Sequence, residues 1–404
     1  MTKQKILHVC YKFLFGNDGY DLDIQDLSEA LSEEFEQYIL FMITKERFKE
    51  YSKNHKLEEI EKGIYLHKKS GMFIAPTFYD PRYFSYVEDL FIPKNIKNFK
   101  EEFKDLFKKI DPDIVHIHST ITPQFLFSAK YSRKKRKKVF ATHHLGKINK
   151  TQRKLSLRVR KSLIHNIFPL VCKKIFCVSE YGKKSFLVKN NVIQIHGVKK
   201  GGPINFDNPS LNRLIRTNLI FGKNKINKKE KIFYCPSRID PQKNQKILLE
   251  PFKRVLKKEK NMVLLFSGYV SDEKYLNSII RQCEKLGITK NIIILQELRN
   301  DFVLKMISKS QAVVFPSINE GLGRAGIESI GLNTPVLAPR DSGHKEYLVE
   351  GDNGFHFDLN DLASIEKAFT KALKEKENLS FSTSNFCFDG YINKIKNTYL
   401  ENDY

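Results

Sequence analysis

The sequence predicts an α/β protein of two domains, each a doubly wound parallel sheet, and three observations carry that expectation. Short apolar runs that read as buried strands recur along the 404-residue chain, alternating with stretches long and amphipathic enough to be helices. A chain of 404 residues is long enough for two domains of ordinary size, and a 41% hydrophobic content can fill two cores. The stretch from Gly201 to Glu230, rich in Gly, Asn, Pro and Lys, separates two halves that share the same rhythm and reads as the connection between them.

Taken in order, Ile6 to Val9 is the first strand, followed by a Gly16-Asn17-Asp18-Gly19 loop and a helix whose Ile24, Leu27 and Leu31 fall on one face. The Asp111-Pro112 break precedes a buried strand from Asp113 to His118. Asp111 and Asp113 flank the proline like a metal-binding acid pair, but their place before a buried strand reads as a turn. Val139 to Thr142 and Ile175 to Val178 are further strands, and Ser179 is placed to cap the helix that follows. The second half repeats the pattern with Ile232 to Pro236, Met262 to Ser267, Ile292 to Leu295, Ala312 to Phe315 and Val336 to Ala338.

The stretch from Val313 to Gly354 holds the most chemistry. After the strand comes a loop with Glu320, Gly321, Leu322 and Gly323, then a helix with a second acid, Glu328. Glycines let backbone approach a ligand closely, and the N–H groups that open a helix attract phosphate. With the helix starting near Gly323, Glu328 lies about 7.5 Å further along the axis, at roughly 1.5 Å per residue. That spacing suits the two ends of a nucleotide-sugar with its diphosphate between them. One carboxylate then accepts from sugar hydroxyls and the other from ribose hydroxyls. Two exposed glutamates on an ordinary strand–loop–helix unit are the plainer alternative.

The wider pattern resembles the donor site of glycosyltransferase family 4. It runs Pro316-Ser317-x-x-Glu320-Gly321-x-Gly323, Glu328 after seven intervening residues, Pro335-Val336-x-Ala338, Ser342-Gly343-x-x-Glu346, then Gly351-x-x-Gly354-Phe355. The segment Tyr234-Cys235-Pro236-Ser237-Arg238-Ile239-Asp240-Pro241-Gln242-Lys243-Asn244 resembles the family's loop that turns an arginine and a lysine to the donor diphosphate. Less specific matches are Lys5-Ile6-Leu7-His8-Val9, Pro112 to His118, Val178-Ser179-Glu180 and His196-Gly197-Val198. The resemblance implies a retaining, metal-independent glycosyltransferase (hexosyltransferase class) of GT-B fold: two Rossmann-like domains facing across a cleft. It divides the chain into an acceptor-binding domain at 1–200, a nucleotide-sugar-binding domain at 201–375, and a last helix within 376–404, around Tyr391 to Tyr399, packing back on the first domain. Arg238 and Lys243 would neutralise the departing diphosphate, with Glu320 on the sugar and Glu328 on the ribose. Gly19, Leu298, Gly321, Leu322, Gly323 and Arg324 would line the donor. No cofactor and no metal is implied; the nucleotide-diphosphate-sugar is the donor substrate. The family often carries Thr-x-His where this chain has Thr142-His143-His144, so His144 is the match for a histidine near the reacting sugar or the acceptor. The sequence departs from the family at Asp18-Gly19, Ser267-Gly268-Tyr269, Gln296 and His196, which bears on the base and phosphate contacts.

Charge is the second informative feature. The chain is +24 overall, but residues 121–200 carry 21 basic side chains and a single acid, Glu180. The densest run is Arg133, Lys134, Lys135, Arg136, Lys137 and Lys138. Between Lys150 and Lys174, Leu155, Leu157, Leu163, Ile164, Ile167 and Phe168 are interleaved with Arg153, Lys154, Arg158, Arg160 and Lys161. A basic amphipathic helix fits an anionic membrane surface presenting a lipid-linked acceptor. A polyanionic glycan also fits, and nucleic acid fits least, for no stacking platform accompanies the charge. No apolar run reaches the roughly 18 residues of a membrane span. The N-terminus lacks a signal-peptide layout, and the six cysteines sit singly in mostly apolar runs, as thiols of a reducing cytoplasm do. The expected location is the cytoplasmic face of a membrane, peripherally. His116 and His118 share a strand face, with no third metal ligand evident beside them. A sugar-nucleotide epimerase and a non-catalytic nucleotide-sugar-binding protein are the competing readings. A phosphorylase would call for a pyridoxal-phosphate lysine in a recognisable setting, which is not seen.

Overall fold

The computed structural model describes residues 3–11, 19–79, 91–144, 155–195, 211–381 and 388–401. The chain divides into two compact units, one of residues 1–197 with 388–404, the other of residues 198–387. The first unit contains β1 (Gln4–Cys10), β2 (Phe35–Ile43), β3 (Glu58–Glu61), β4 (Ile64–His67), β5 (Met72–Phe78), β6 (Ile114–Ile117), β7 (Lys138–His143), β8 (Lys174–Cys177) and β9 (Val192–Gln194). They form one sheet in the order β3-β4-β5-β2-β1-β6-β7-β8-β9. From β5 to β9 every pairing is parallel, and β3 and β4 extend the edge antiparallel. The order reverses at β1, between β2 and β6, which is the switch point where doubly wound sheets bind ligands.

Strand alternation sends Leu7 and Val9 to one face, against helices Pro93–Ile110, Pro123–Lys134 and Leu155–Val171. On helix Pro93–Ile110 the aromatic side chains Phe99, Phe103 and Phe107 recur every four residues and are all buried. Ile6 and Ile114 face the other way, against helices Gly19–Leu31 and Phe388–Leu400. The last helix is anchored by fully buried Tyr399, which packs against Phe35 and Phe140 and shares a hydrogen bond with His116 Nδ1.

The second unit contains β10 (Leu219–Gly222), β11 (Lys231–Pro236), β12 (Met262–Ser267), β13 (Ile292–Leu295), β14 (Ala312–Val314), β15 (Val336–Pro339) and β16 (Gly354–Phe357). Their order is β10-β13-β12-β11-β14-β15-β16, antiparallel only at β10, with the reversal at β11 between β12 and β14. Helices Leu249–Leu256, Glu273–Leu286 and Leu362–Glu375 close one face over Phe233 and Leu264, with Phe369 of the last helix packed edge-on against Phe233.

Two expectations are corrected. The stretch from Gly201 to Glu230 is not simply a connection: helix Leu211–Asn218 buries Leu214 and Ile215, and Leu219–Gly222 joins the sheet as its edge strand. The residues that return to the first unit begin at Phe388, so 376–387 group with the second unit. Ser179 does cap helix Glu180–Lys183, its hydroxyl accepting from the Gly182 N–H at 3.0 Å.

The first sheet buries histidines at its switch point, and this sets its response to acid. Burial holds His8 down from 6.5 to about 4, and burial also depresses His116 and His118 well below 6.5. The unfolded chain takes up protons below 6.5 that the folded unit refuses until lower pH. Stability is therefore full above 6.5 and falls as the pH drops. For His8 alone the loss approaches about 1.4 kcal/mol per pH unit below 6.5, ending near 4. Urea unfolding followed from pH 7.5 to 5 is expected to show a midpoint that falls steadily below 6.5 at constant slope; a flat midpoint over that range contradicts it.

Candidate active site

The loops after β11 and β14 leave adjacent strands at the second unit's switch point, and both are shaped by their own hydrogen bonds. The Asp240 carboxylate accepts from the Lys243 N–H at 2.9 Å, which folds Ser237 to Asn244 into a turn ending on Asn244 in a left-handed conformation. The Asp240 side chain also lies 3.5 Å from the Arg238 guanidinium, so one acid arranges both cations. The main chain of Gln242 accepts from the Ile318 N–H at 2.9 Å, and its side chain donates to the Asn319 carbonyl at 3.0 Å. These contacts bring Lys243 Nζ to 2.6 Å from Glu320 Oε2.

The pair is largely buried, with both side chains under one-fifth exposed (16% and 17%). Burial alone would lift the Glu320 carboxyl. The Lys243 ammonium, aided by hydrogen bonds from Lys243 and Ser317, outweighs it and holds Glu320 at about 2. Glu320 is thus an ionised acceptor at neutral pH and has no proton to give. Burial keeps neighbouring His344 neutral, at about 4. His344 Nδ1 bonds the Ser342 hydroxyl at 2.9 Å and its ring stacks on Phe315.

Gly323 stands at φ +80 before helix Arg324–Gly331, and among the described residues no side chain caps that helix start. The Tyr347 hydroxyl donates to the Gly323 carbonyl at 2.9 Å. Below the loop, the Gly343 N–H donates to the Glu320 carbonyl at 3.1 Å, and a Cβ on Gly343 would stand 1.8 Å from the Gly321 carbonyl oxygen. Glycine at 343 is therefore what lets the Ser342 turn pass under the loop.

The structure gathers Arg238, Lys243, Glu320, Gly321, Leu322, Gly323, Arg324 and Glu328 on the loops and helix around this switch point. Glu328 is not an isolated carboxylate: Arg324 Nε donates to its Oε1 at 3.0 Å, and both are nearly buried. The Leu298 side chain is buried after β13, and Leu322 is buried within the loop. Gly19 is exposed at the start of helix Gly19–Leu31, in the first unit. His144 follows β7 there, its Nε2 3.5 Å from His118 Nδ1 and its Nδ1 3.6 Å from the Asp23 carboxylate. Sequence reasoning quoted Ser317 in its pattern without giving it a role, and missed Tyr347 and His344, for which the Ser342-Gly343-x-x-Glu346 motif was the available signal.

It also missed the third histidine beside His116 and His118. His8 pairs with His116 in the β1–β6 register, and the three offer nitrogens within 4.8 Å of one another. Those nitrogens are engaged within the protein. His8 bonds Gln37 at 2.7 Å and His118 at 2.9 Å, while His116 bonds Thr142 at 2.7 Å and Tyr399.

Within the basic segment, Arg133 to Arg136 are exposed and the Arg133 guanidinium donates to the Leu170 carbonyl. Lys137 pairs with Asp111 at 2.7 Å and Lys138 donates to the Tyr399 carbonyl at 2.9 Å, so these two brace the first unit. Arg158 is half-buried, Arg160 is exposed, and Arg153 and Lys154 lie outside the described residues. The helix Leu155–Val171 does not present all its apolar residues outward: Phe168 is fully buried, and Ile164 and Ile167 pack against the same core.

Residues 217–383 match the family described as Glycosyl transferases group 1. The chain carries a glycosyl transferases group 1 domain. The match covers nearly all of the second unit, including both loops of the site. Among curated proteins, the putative glycosyltransferase EpsD of Bacillus subtilis is 26% identical over 146 residues, 36% of this chain and 37% of that protein. The UDP-Gal:alpha-D-GlcNAc-diphosphoundecaprenol alpha-1,3-galactosyltransferase of Escherichia coli is 24% identical over 83% of this chain and 85% of its own length. The chain spans between a quarter and about half the length of the first curated relatives it matches. Of solved structures, Anabaena HepE in complex with UDP and glucose superposes with a TM-score of 0.70 at 15% identity, covering 98% of this chain and 99% of that one. Sucrose-phosphate synthase of Thermosynechococcus elongatus gives 0.74 at 15% identity, covering 98% of each. These likenesses establish the GT-B fold.

Replacing Gly343 with Ala must displace the Glu320–Gly321 peptide. It is expected to destabilise the second unit by about 1–3 kcal/mol, measured by chemical denaturation, and a wild-type midpoint contradicts the packing described.

Proposed function

We propose that this protein is a retaining, metal-independent glycosyltransferase that moves a hexose from a nucleotide-diphosphate-sugar to an acceptor hydroxyl. The observation that carries the reading is the buried Lys243–Glu320 pair, held at the switch point of a glycosyl transferases group 1 domain. An ammonium has three donors, and one meets Glu320, so the others serve a diphosphate beside the loop. Arg238, still 43% exposed, adds a second cation to the same phosphates. The uncapped N–H groups that open helix Arg324–Gly331 add dipole. Glu320, fixed as an anion, accepts from the sugar hydroxyls, while Glu328, held by Arg324, accepts from the ribose. As the bond from the anomeric carbon to the phosphate oxygen breaks, charge grows on that oxygen, which the two cations stabilise. The acceptor oxygen bonds the anomeric carbon on the same face, and its proton leaves on the departing phosphate. His144, in the first unit, is assigned to the reacting sugar or to placing the acceptor.

The acceptor is read as lipid-linked, with the first unit resting on the cytoplasmic face of an anionic membrane. Helix Leu155–Val171 leaves Val159, Leu163 and Leu170 exposed, at a spacing that lines one stripe. The Leu187 N–H donates to Asn166 Oδ1 at 2.8 Å, which sets exposed Leu187 and Val188 beside that stripe. These apolar side chains sit in a segment with 21 cations and one acid, and each cation near an anionic bilayer contributes about 1 kcal/mol. Among the described residues no helix is long and apolar enough to cross a membrane. The relative from E. coli named for a diphosphoundecaprenol acceptor supports the same reading.

Nucleotide release from UDP-, GDP- and ADP-sugars, with lipid extract as acceptor source, tests the activity. UDP-sugars come first because of the relatives named above. One donor is expected to release nucleotide with lipid present and not without it. Glu320→Ala is expected to abolish release, and Lys243→Ala to lower kcat roughly 10²–10³-fold. Wild-type rates in either variant refute the assignment, and a converted sugar-nucleotide without acceptor identifies an epimerase instead. The membrane reading is tested with phosphatidylcholine vesicles with and without phosphatidylglycerol. Binding is expected only with phosphatidylglycerol, weakened by salt, and lost in the double variant Leu163→Glu, Leu187→Glu. Equal binding of that variant and the wild type overturns it.

A further inference from the structure

The first unit's switch point holds a row of polar side chains that leads to His144, and of its members the proposed chemistry uses His144 alone. It runs from the Phe35 carbonyl through Gln37, His8 and His118 to His144 and Asp23. Gln37 Nε2 faces the Phe35 carbonyl at 3.4 Å, and Gln37 Oε1 faces His8 Nε2 at 2.7 Å. His8 Nδ1 meets His118 Nε2 at 2.9 Å, and His118 Nδ1 meets His144 Nε2 at 3.5 Å. At the far end, His144 Nδ1 is buried, without a hydrogen bond among the described residues, 3.6 Å from Asp23 Oδ2.

The direction of this row follows from its first member. A peptide carbonyl only accepts, so the amide nitrogen of Gln37 must face Phe35 and its oxygen must face His8. His8 therefore carries its proton on Nε2. Burial keeps His8 and His118 neutral, so each ring has one proton. With its only proton spent on Gln37, His8 must accept at Nδ1, and His118 must be protonated on Nε2. His118 in turn accepts at Nδ1, from a proton on His144 Nε2. The one ring nitrogen left with an open lone pair is His144 Nδ1, and it looks at a carboxylate.

We infer that Gln37, His8 and His118 are positioning residues that fix the ring of His144 with its proton on Nε2 and make Nδ1, beside Asp23, the atom at which His144 gains and loses a proton. This rests on the reading of His144 as a residue of the transfer reaction. A ring whose Nε2–H is committed to the row cannot swap its nitrogens without breaking that hydrogen bond. Any proton His144 takes up arrives at Nδ1 with its counter-charge already there. The edge of Tyr20 meets the His144 ring at a centroid distance of 5.0 Å and closes off rotation on the third side.

Long-range proton–nitrogen NMR of the ¹⁵N-histidine-labelled full chain at neutral pH reads each tautomer directly. His8 and His118 are expected as Nε2–H tautomers, and assignment comes from the variants His8→Asn and His118→Asn. An Nδ1–H tautomer at either ring reverses the row and overturns the inference. In Gln37→Leu the first constraint is gone, so His118 is expected to become a mixture of tautomers, with a roughly tenfold fall in nucleotide release and an unchanged KM for the sugar-nucleotide. Gln37→Glu, which keeps an acceptor towards His8, is expected to restore the Nε2–H form. A single unchanged His118 tautomer in Gln37→Leu also overturns the inference. Wild-type release in His144→Ala removes instead the role of His144, and the tautomers distinguish that failure from the first.

Discussion

A carboxylate at the position of Glu320 can be buried only because an ammonium is buried with it. Everything about the second unit's two loops serves that pairing. Asp240 folds one loop so that Lys243 points inward, the Gln242 main chain and side chain tie it to the other, and glycine at 343 lets a third turn pass directly beneath. Taking either charge away would leave the other stranded in a poorly solvated place, which is far more costly than exposing both. The pair is thus better understood as a constraint on the loops than as a source of net stability. Its depressed carboxyl also narrows what it can do: at neutral pH Glu320 can accept hydrogen bonds and has no proton to give.

The first unit meets the same architectural situation with the opposite electrostatics. Its switch point is also packed with polar side chains, but burial there keeps the rings neutral, and hydrogen bonds between them replace charge pairing. A neutral row satisfies its members without the desolvation of an ion pair and, unlike an ion pair, it has a direction. The direction originates at a backbone carbonyl, so the fold itself determines where the last proton sits. Acid sensitivity follows as a consequence of that economy, because neutral buried imidazoles are stable only while the unfolded chain also leaves its histidines unprotonated.

How much of this was legible in the sequence depended on whether the physics was local. Strands such as Met262–Ser267 and Ile292–Leu295 are short, wholly apolar and bounded by turns, and they stand where their pattern placed them. Met72–Phe78 is buried over most of its length but carries Pro76, which cannot donate to a ladder, and its pattern is weak as a strand. Helix Leu211–Asn218 and strand Leu219–Gly222 were hidden because they are short, 8 and 4 residues, and sit in a stretch whose Gly, Asn, Pro and Lys read as a connection; the strand's Leu-Ile-Phe is apolar but only half-buried at the sheet edge. The glycine-rich loop was legible because its glycines answer a local backbone demand. The Lys243–Glu320 contact spans 77 residues and the His8–His118 contact 110, and only the strand order brings each pair together.

Helix Leu155–Val171 shows where periodicity stops. Its apolar residues run nearly around the cylinder, so spacing alone cannot say which of them meet the core. Packing decides: Phe168, Ile164 and Ile167 turn inward, while Val159, Leu163 and Leu170 stay outside with Leu187 and Val188 beside them. That division discriminates between the anionic surfaces the charge would suit. A polyanionic glycan is bound chiefly through cations and hydrogen bonds and gains little from exposed leucines. A bilayer offers both a negative surface and an apolar layer beneath it, and it rewards cations and leucines presented together. The stripe, rather than the charge, is the feature that favours the membrane.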